Sequence, residues 1–244
     1  MRCNADRLIE ALIATEIMAM QQRENEKKEK LRQKAETYVV TISRDFGSLG
    51  KSVAQLLADA LEVRCCDRFI LQQVAEKAHV DEELVRVLDE HTSKIEGHWW
   101  NHLLQKDAFS YEDYYHYLIK TIASIACTGG VIIGRGANLV LGADQAFRVR
   151  ITGSIEQCAK RVAAREGIDI NEGAERVREV NKERADYVRM LYDADINDPA
   201  AYDLILNSDR YDRVQMVDLI LDAMEKAGYK LPDDARKSLT ILAE

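Results

Sequence analysis

Residues 38–61 place the strongest constraint on what this chain can fold into. Tyr38-Val39-Val40-Thr41-Ile42 is an apolar, β-branched run, the composition of a strand buried on both faces. Gly47 and Gly50 follow in a loop, and Val53, Leu56, Leu57 and Leu61 then keep helical spacing. Strand, glycine loop and helix in that order open an α/β unit.

The same alternation runs down the chain. Val63-Arg64-Cys65-Cys66 reads as a short second strand ending at Asp67. Residues 68–128 are helical by pattern, interrupted by a polar and aromatic stretch, His91 to Asp113, that reads as a less regular lobe. Val131-Ile132-Ile133 is a third strand, closed by Gly134-Arg135-Gly136, and Phe147 to Thr152 a fourth. A helix from Ser154 to Arg165, a break at Gly167, an arginine-rich helix over 172–192, a fifth strand from Tyr202 to Asn207 and a helix from Arg213 to Lys226 complete the pattern. Strands alternating with helices imply a largely parallel sheet. With only two prolines, long unbroken helices are expected.

Residues 1–36 differ from the rest. Leu8, Ile9, Leu12, Ile13, Ile17 and Met20 recur at helical spacing, and a mixed-charge run follows from Arg23 to Lys30. The segment reads as a helical arm, either a solvated linker or a pairing helix that would make a homo-oligomer. Its apolar part carries Glu10 and Glu16 and is too short to span a bilayer, so no membrane partner is expected. The five cysteines have no regular spacing and read as reduced thiols of a cytoplasmic protein. A net charge of −8 argues against a nucleic-acid polymer held on a broad basic face.

The chemistry is concentrated at Asp45-Phe46-Gly47-Ser48-Leu49-Gly50-Lys51-Ser52. Glycines let backbone N–H groups turn into one concavity, and the helix start adds partial positive charge. Gly47, Ser48, Leu49, Gly50, Lys51 and Ser52 are the candidate phosphate-binding residues. Lys51 would bridge the outer phosphates, and the Ser52 hydroxyl would sit on Mg²⁺. The usual pattern begins with glycine where this chain has Asp45. The plain alternative is an ordinary strand–turn–helix.

Ligands of an open parallel sheet lie at the C-terminal strand ends. Asp67 and Arg68 after the second strand and Arg135 after the third are therefore candidates for the acceptor side, the arginines as bidentate clamps for an anion. Asp67 and Arg68 also read as a surface ion pair. Lys182, Asp186 and Arg189 recur at four and three residues and share one helix face. They form either a solvated ion-pair face or a lid that lowers cations onto phosphates. His98 and His102 stand four apart, but no third ligand accompanies them, so packing is the stronger reading.

Taken in order, Thr41-Ile42-Ser43-Arg44-Asp45-Phe46-Gly47-Ser48, Asp67-Arg68 and Val131-Ile132-Ile133-Gly134-Arg135-Gly136-Ala137-Asn138 resemble the cytidylate kinase-like family, as does Tyr202 to Asn207. The resemblance runs from Tyr38 to Met224. It implies a P-loop nucleoside-monophosphate kinase fold: three α/β/α layers around a five-stranded parallel sheet, with a helical insertion and a lid. In those terms residues 37–230 are the kinase domain, about 76–120 the insertion, about 168–195 the lid and 231–244 a helical tail. It further implies phosphoryl transfer from ATP, with Mg²⁺, to CMP or dCMP. Lys51, Lys182, Asp186 and Arg189 would be the catalytic set, and Asp67, Arg68 and Arg135 would bind the acceptor. Gly136 departs from the pattern, because true cytidylate kinases carry there an aspartate that helps recognise cytidine. Two further readings follow: a kinase for another small metabolite, motivated by Gly136, and a non-catalytic nucleotide-binding module, motivated by Asp45 and the arm.

Overall fold

Each of the first three long strands is shaped by a period-two division of its side chains. In the computed structural model, which describes residues 38–67, 69–80, 82, 85–86 and 110–236, β1 spans Val39–Arg44 and is followed by α1, Gly50–Ala60. Val40 and Ile42 point to one face of the sheet and Val39 to the other. The chain continues through β2 (Cys65–Cys66), α2 (Phe69–Ala78), α3 (Tyr111–Thr128), β3 (Gly130–Ile133), α4 (Ala137–Val140), β4 (Phe147–Thr152), α5 (Ile155–Glu166), α6 (Ile170–Tyr192), β5 (Leu204–Asn207) and α7 (Arg213–Lys226).

All five strands are parallel, in the order β2-β3-β1-β4-β5. On one face α1 and α7 pack Val53, Leu57, Met216, Ile220 and Leu221 against Val40, Ile42, Val149 and Ile151. On the other, α2 and α3 pack Ile70, Val74, Tyr114, Leu118 and Ile122 against Val39 and Ile132. The result is the three-layer α/β/α arrangement expected of a P-loop fold. Register aligns Ile42 with Ile133 and Arg44 with Ile151, so the segments leaving β1, β3 and β4 emerge at one edge of the sheet.

Several element limits differ from the sequence reading, each for a local reason. Val63 and Arg64 are not in β2, because α1 ends in a turn. Glu62 takes a left-handed φ of 54°, and Val63 N–H donates to the Ala58 carbonyl. Tyr202 and Asp203 precede β5 because Pro199–Ala201 forms a 3₁₀ turn that Tyr202 closes. The irregular lobe stops before Asp113: Ser110 and Asp113 build a capping box that starts α3 at Tyr111. Of the expected helical tail, residues 231–236 hold turns and no helix, with Ala235 N–H on the Pro232 carbonyl, and 237–244 lie outside the described residues. The 1–36 arm, His98, His102 and most of the 76–120 insertion also lie outside them.

Helix α7 begins with its own capping box, in which the Asp212 carboxylate accepts from Val214 and Gln215 N–H at 2.8 and 2.9 Å. Asp212→Ala should cost about 1 kcal/mol of stability. The measurement is a lower urea midpoint with an unchanged slope.

Candidate active site

The loop between β1 and α1 is held by its own hydroxyl and by side chains from three other elements. Gly47 and Leu49 take left-handed φ angles of 81° and 65°, whereas Asp45 does not, so the backbone has no need of glycine at position 45. The Ser48 hydroxyl is buried between the carbonyls of Asp45 (2.9 Å) and Ile151 (3.2 Å). From α5, Arg161 donates to the Gly47 carbonyl at 3.3 Å and to the Ser208 carbonyl at 2.6 Å. From α6, Asn181 accepts the Phe46 N–H at 2.7 Å and Arg184 donates to the Arg44 carbonyl at 2.9 Å. From β4, Arg150 donates to the Asp45 carboxylate at 2.7 Å.

The tethered loop borders a cavity of about 240 Å³ lined by residues 44–52 with Arg161, Arg165 and Arg184. The Arg165 and Arg184 guanidiniums lie 5.1 and 5.7 Å from the centre of the Phe46 ring. Burial pushes the Arg184 guanidinium down to about 10, against the opposing pull of Asp45, so it stays charged at neutral pH. Gly50 is buried at the start of α1, while Lys51 and Ser52 in its first turn are exposed.

The second half of the site meets the first at Lys51. Its ammonium lies 3.2 Å from the Asp67 carboxylate. Arg135, just beyond β3, donates to the Asp67 carbonyl at 3.1 Å and stands 3.8 Å from the same carboxylate. Arg135 sits at φ 55°, an uncommon conformation for a side-chain-bearing residue. The Tyr192 hydroxyl fixes it by donating to the Arg135 carbonyl at 2.6 Å. The Tyr192 ring packs edge-on to Tyr115 and fills the space over Gly136, where a β-carbon would fall inside it.

Lys51, Asp67 and Arg135 are therefore brought together beside the glycine loop. Arg68 lies outside the described residues. On the face of α6 read from spacing, Lys182 is exposed, and Asp186 and Arg189 pair with each other at 3.8 Å. Contact between α6 and the loop runs through Asn181 and Arg184 instead. Sequence reasoning missed those two, and also Arg150, Arg161 and Arg165. A signal existed for Arg150, an arginine at a core-facing register inside an apolar strand. For Arg161 and Arg165 there was only their spacing of four. Among the described residues, no group of three or more His, Cys, Asp or Glu side chains is placed to hold a metal ion.

The profile of the cytidylate kinase-like family matches residues 39–210. The chain belongs to this family. It is 33% identical over 102 residues to a cytidylate kinase of Methanothrix thermoacetophila, covering 41% of this chain and 58% of that protein. Over 79 residues it is 39% identical to a cytidylate kinase of Thermococcus kodakarensis, covering 32% of this chain and 40% of that one. The chain thus spans about half the length of the curated relatives it matches. A crystal structure of an uncharacterized protein from Eubacterium ventriosum shares the fold, with a TM-score of 0.61 and 23% identity over 78% of this chain and 99% of that one. Among the described residues, no helix is long and apolar enough to cross a membrane.

Two outcomes follow from the packing. Gly136→Ala should destabilise the protein both through its left-handed φ and through collision with the Tyr192 ring. In thermal melts the pair Gly136→Ala with Tyr192→Ala should lose less than the two single changes added together. Burial also pushes the Cys65 and Cys158 thiols up to about 11, Asp67 adding to the effect at Cys65. Both stay protonated at pH 8, so mass spectrometry after brief iodoacetamide treatment should find exposed Cys127 alkylated ahead of them.

Proposed function

We propose that this member of the family transfers the terminal phosphoryl group of ATP to a nucleoside monophosphate, CMP or dCMP in the first place, giving the diphosphate and ADP. The supporting observation is the meeting of Lys51, from the glycine loop, with Asp67 and Arg135, from two other strand ends, at 3.2 Å and 3.1 Å contacts around Asp67. A donor loop and an acceptor clamp that share one carboxylate place two phosphates within reach of each other.

In this reading the N–H groups of residues 47–52 and the start of α1 hold the donor phosphates. Lys51 leaves Asp67 for the bridging and terminal phosphates, and Arg161, Arg165 and Arg184 supply the further positive charge around them. Asp67 and Arg135 orient the acceptor, Arg135 through its guanidinium and Asp67 by holding that guanidinium in place. The Lys182–Asp186–Arg189 face, exposed as described, would add its cations when α6 moves onto bound nucleotide. Neither reacting group bonds to the protein; positioning and charge carry the rate.

Mg²⁺ fits this donor set. The Ser52 hydroxyl is exposed beside Lys51 at the start of α1, where it could join an ion that is held mainly by phosphates. When bound it would neutralise charge on the donor phosphates. Residues 37–230 would form the catalytic domain with its lid at about 168–195. The arm at 1–36 would be either a solvated linker or a helix that pairs copies of the chain, and the protein would work in the cytoplasm without a nucleic-acid polymer or a membrane.

One observation favours a second acceptor class. The position at which the resemblance places a cytidine-reading aspartate is Gly136, and Tyr192 fills the space beside it. Kinase chemistry on another small metabolite is the reading to hold against CMP.

ADP release from Mg²⁺–ATP should require CMP or dCMP in a panel with UMP, AMP and GMP. Lys51→Ala should lower that turnover by about 10²–10³-fold, as loss of one transition-state cation commonly does. Acceptor-independent release, or full turnover in the Lys51 variant, contradicts the assignment. A panel inert to every nucleotide but active with another phosphate- or hydroxyl-bearing acceptor selects the second reading.

A further inference from the structure

Asp45 is an anomaly for a site that binds a triphosphate. It puts a carboxylate in the loop that lines the phosphate cavity, where its charge opposes the ligand's. The structure holds that carboxylate in one place. One oxygen accepts from Arg150 Nη2 at 2.7 Å and the other from the Gly153 N–H at 3.3 Å. Both donors belong to β4 and the turn after it. The Arg150 side chain is only 6% exposed and is held in turn by Ser43 Oγ at 3.4 Å and Asn197 Oδ1 at 3.3 Å. Arg150 is not itself a lining residue of the cavity.

A buried arginine in the middle of a parallel strand is costly unless paired. Here the pairing partner is the residue that replaces the loop's usual first glycine. The same carboxylate also acts on Arg184, a cation that does line the cavity. Asp45 therefore has two arginines to choose between, one outside the phosphate cavity and one inside it.

We propose that Arg150 is a positioning residue for nucleotide binding: it holds the Asp45 carboxylate against β4, which leaves the loop N–H groups and Arg184 to the phosphates. This rests on the reading of the loop as an ATP site. With Arg150 removed, Asp45 is free to turn onto Arg184 and compete there with phosphate. The loop then binds anions less well although no group that touches them has been lost.

The test is Mg²⁺–ATP binding by titration calorimetry at low and high salt, with thermal melts run in parallel. Arg150→Met should weaken Mg²⁺–ATP at least about tenfold at low salt, and the deficit should shrink as salt screens the misplaced carboxylate. In steady-state assays the loss should fall on KM for ATP and leave kcat within a few-fold. Asp45→Asn placed in the Arg150→Met background should restore affinity to within about threefold of wild type. This double variant buries no unpaired charge, so it reports even where Arg150→Met alone fails to fold. Loss of binding that Asp45→Asn does not rescue overturns the proposal, because Arg150 would then act on the phosphates directly or only support the fold. Rescue of the melting temperature without rescue of affinity overturns it as well. Wild-type protein that fails to bind Mg²⁺–ATP removes the ATP-site reading itself, and the proposal with it; wild-type binding with no effect in Arg150→Met removes the proposal alone.

Discussion

The hydrogen bonds that tie residues 44–48 to their neighbours are the constraint on which the site depends. In the proposed function the β1–α1 loop keeps backbone N–H groups available to phosphate, and that requires a fixed shape before the ligand arrives. Here that shape is imposed through side chains. Arg161, Arg184 and Asn181 take the carbonyls of Gly47 and Arg44 and the N–H of Phe46, and Ser48 closes the turn from within. Because the tethers come from α5 and α6, the loop's geometry depends on how those helices pack. They pack through Cys158, Val162 and Val177, with Phe46 and Ile168 against them.

The same helix connects the two halves of the site. Near its middle, α6 touches the β1–α1 loop through Asn181 and Arg184. At its last turn it touches the segment after β3 through Tyr192 and the Arg135 carbonyl. Tyr187 meets Tyr114 of α3 at 3.0 Å between them. Motion of α6 would therefore move both contacts at once; in the proposed function that is how a lid would couple donor binding to acceptor binding. Charge is arranged with the same economy. Asp45 is answered by Arg150, Asp67 by Lys51 and Arg135, and Arg165 by Glu166, so Arg161 and Arg184 carry the positive surplus around the cavity.

Much of the architecture could be read in the sequence because burial on both faces leaves a direct signature. The runs at Val39, Val131 and Phe147 are the strands, and Ser154 and Asp212 cap helices whose apolar faces were visible in their spacing. That Asp67 and Arg135 lie near each other was legible because strand ends converge in a parallel sheet, and Lys51 was legible from the glycine loop that precedes α1. The strand order was not, since periodicity says which face a residue covers and nothing about its neighbour. For the same reason the contacts of α5 and α6 with the loop were not legible. Spacing grouped Lys182, Asp186 and Arg189 on one face, and it is Asn181 and Arg184 that meet the loop. Tyr192 over Gly136 was out of reach, being a contact between residues 56 apart set by where α6 ends.

In the proposed function, donor and acceptor subsites meet across Lys51 and Asp67 in one cleft. Binding of an adenosine and a cytidine joined through five phosphates tests it most directly. One cleft predicts affinity at least about 100-fold above that for ATP alone, since the second nucleotide is delivered by the first. Affinity no greater than that for ATP would contradict it, because a molecule able to reach both subsites would then have found only one.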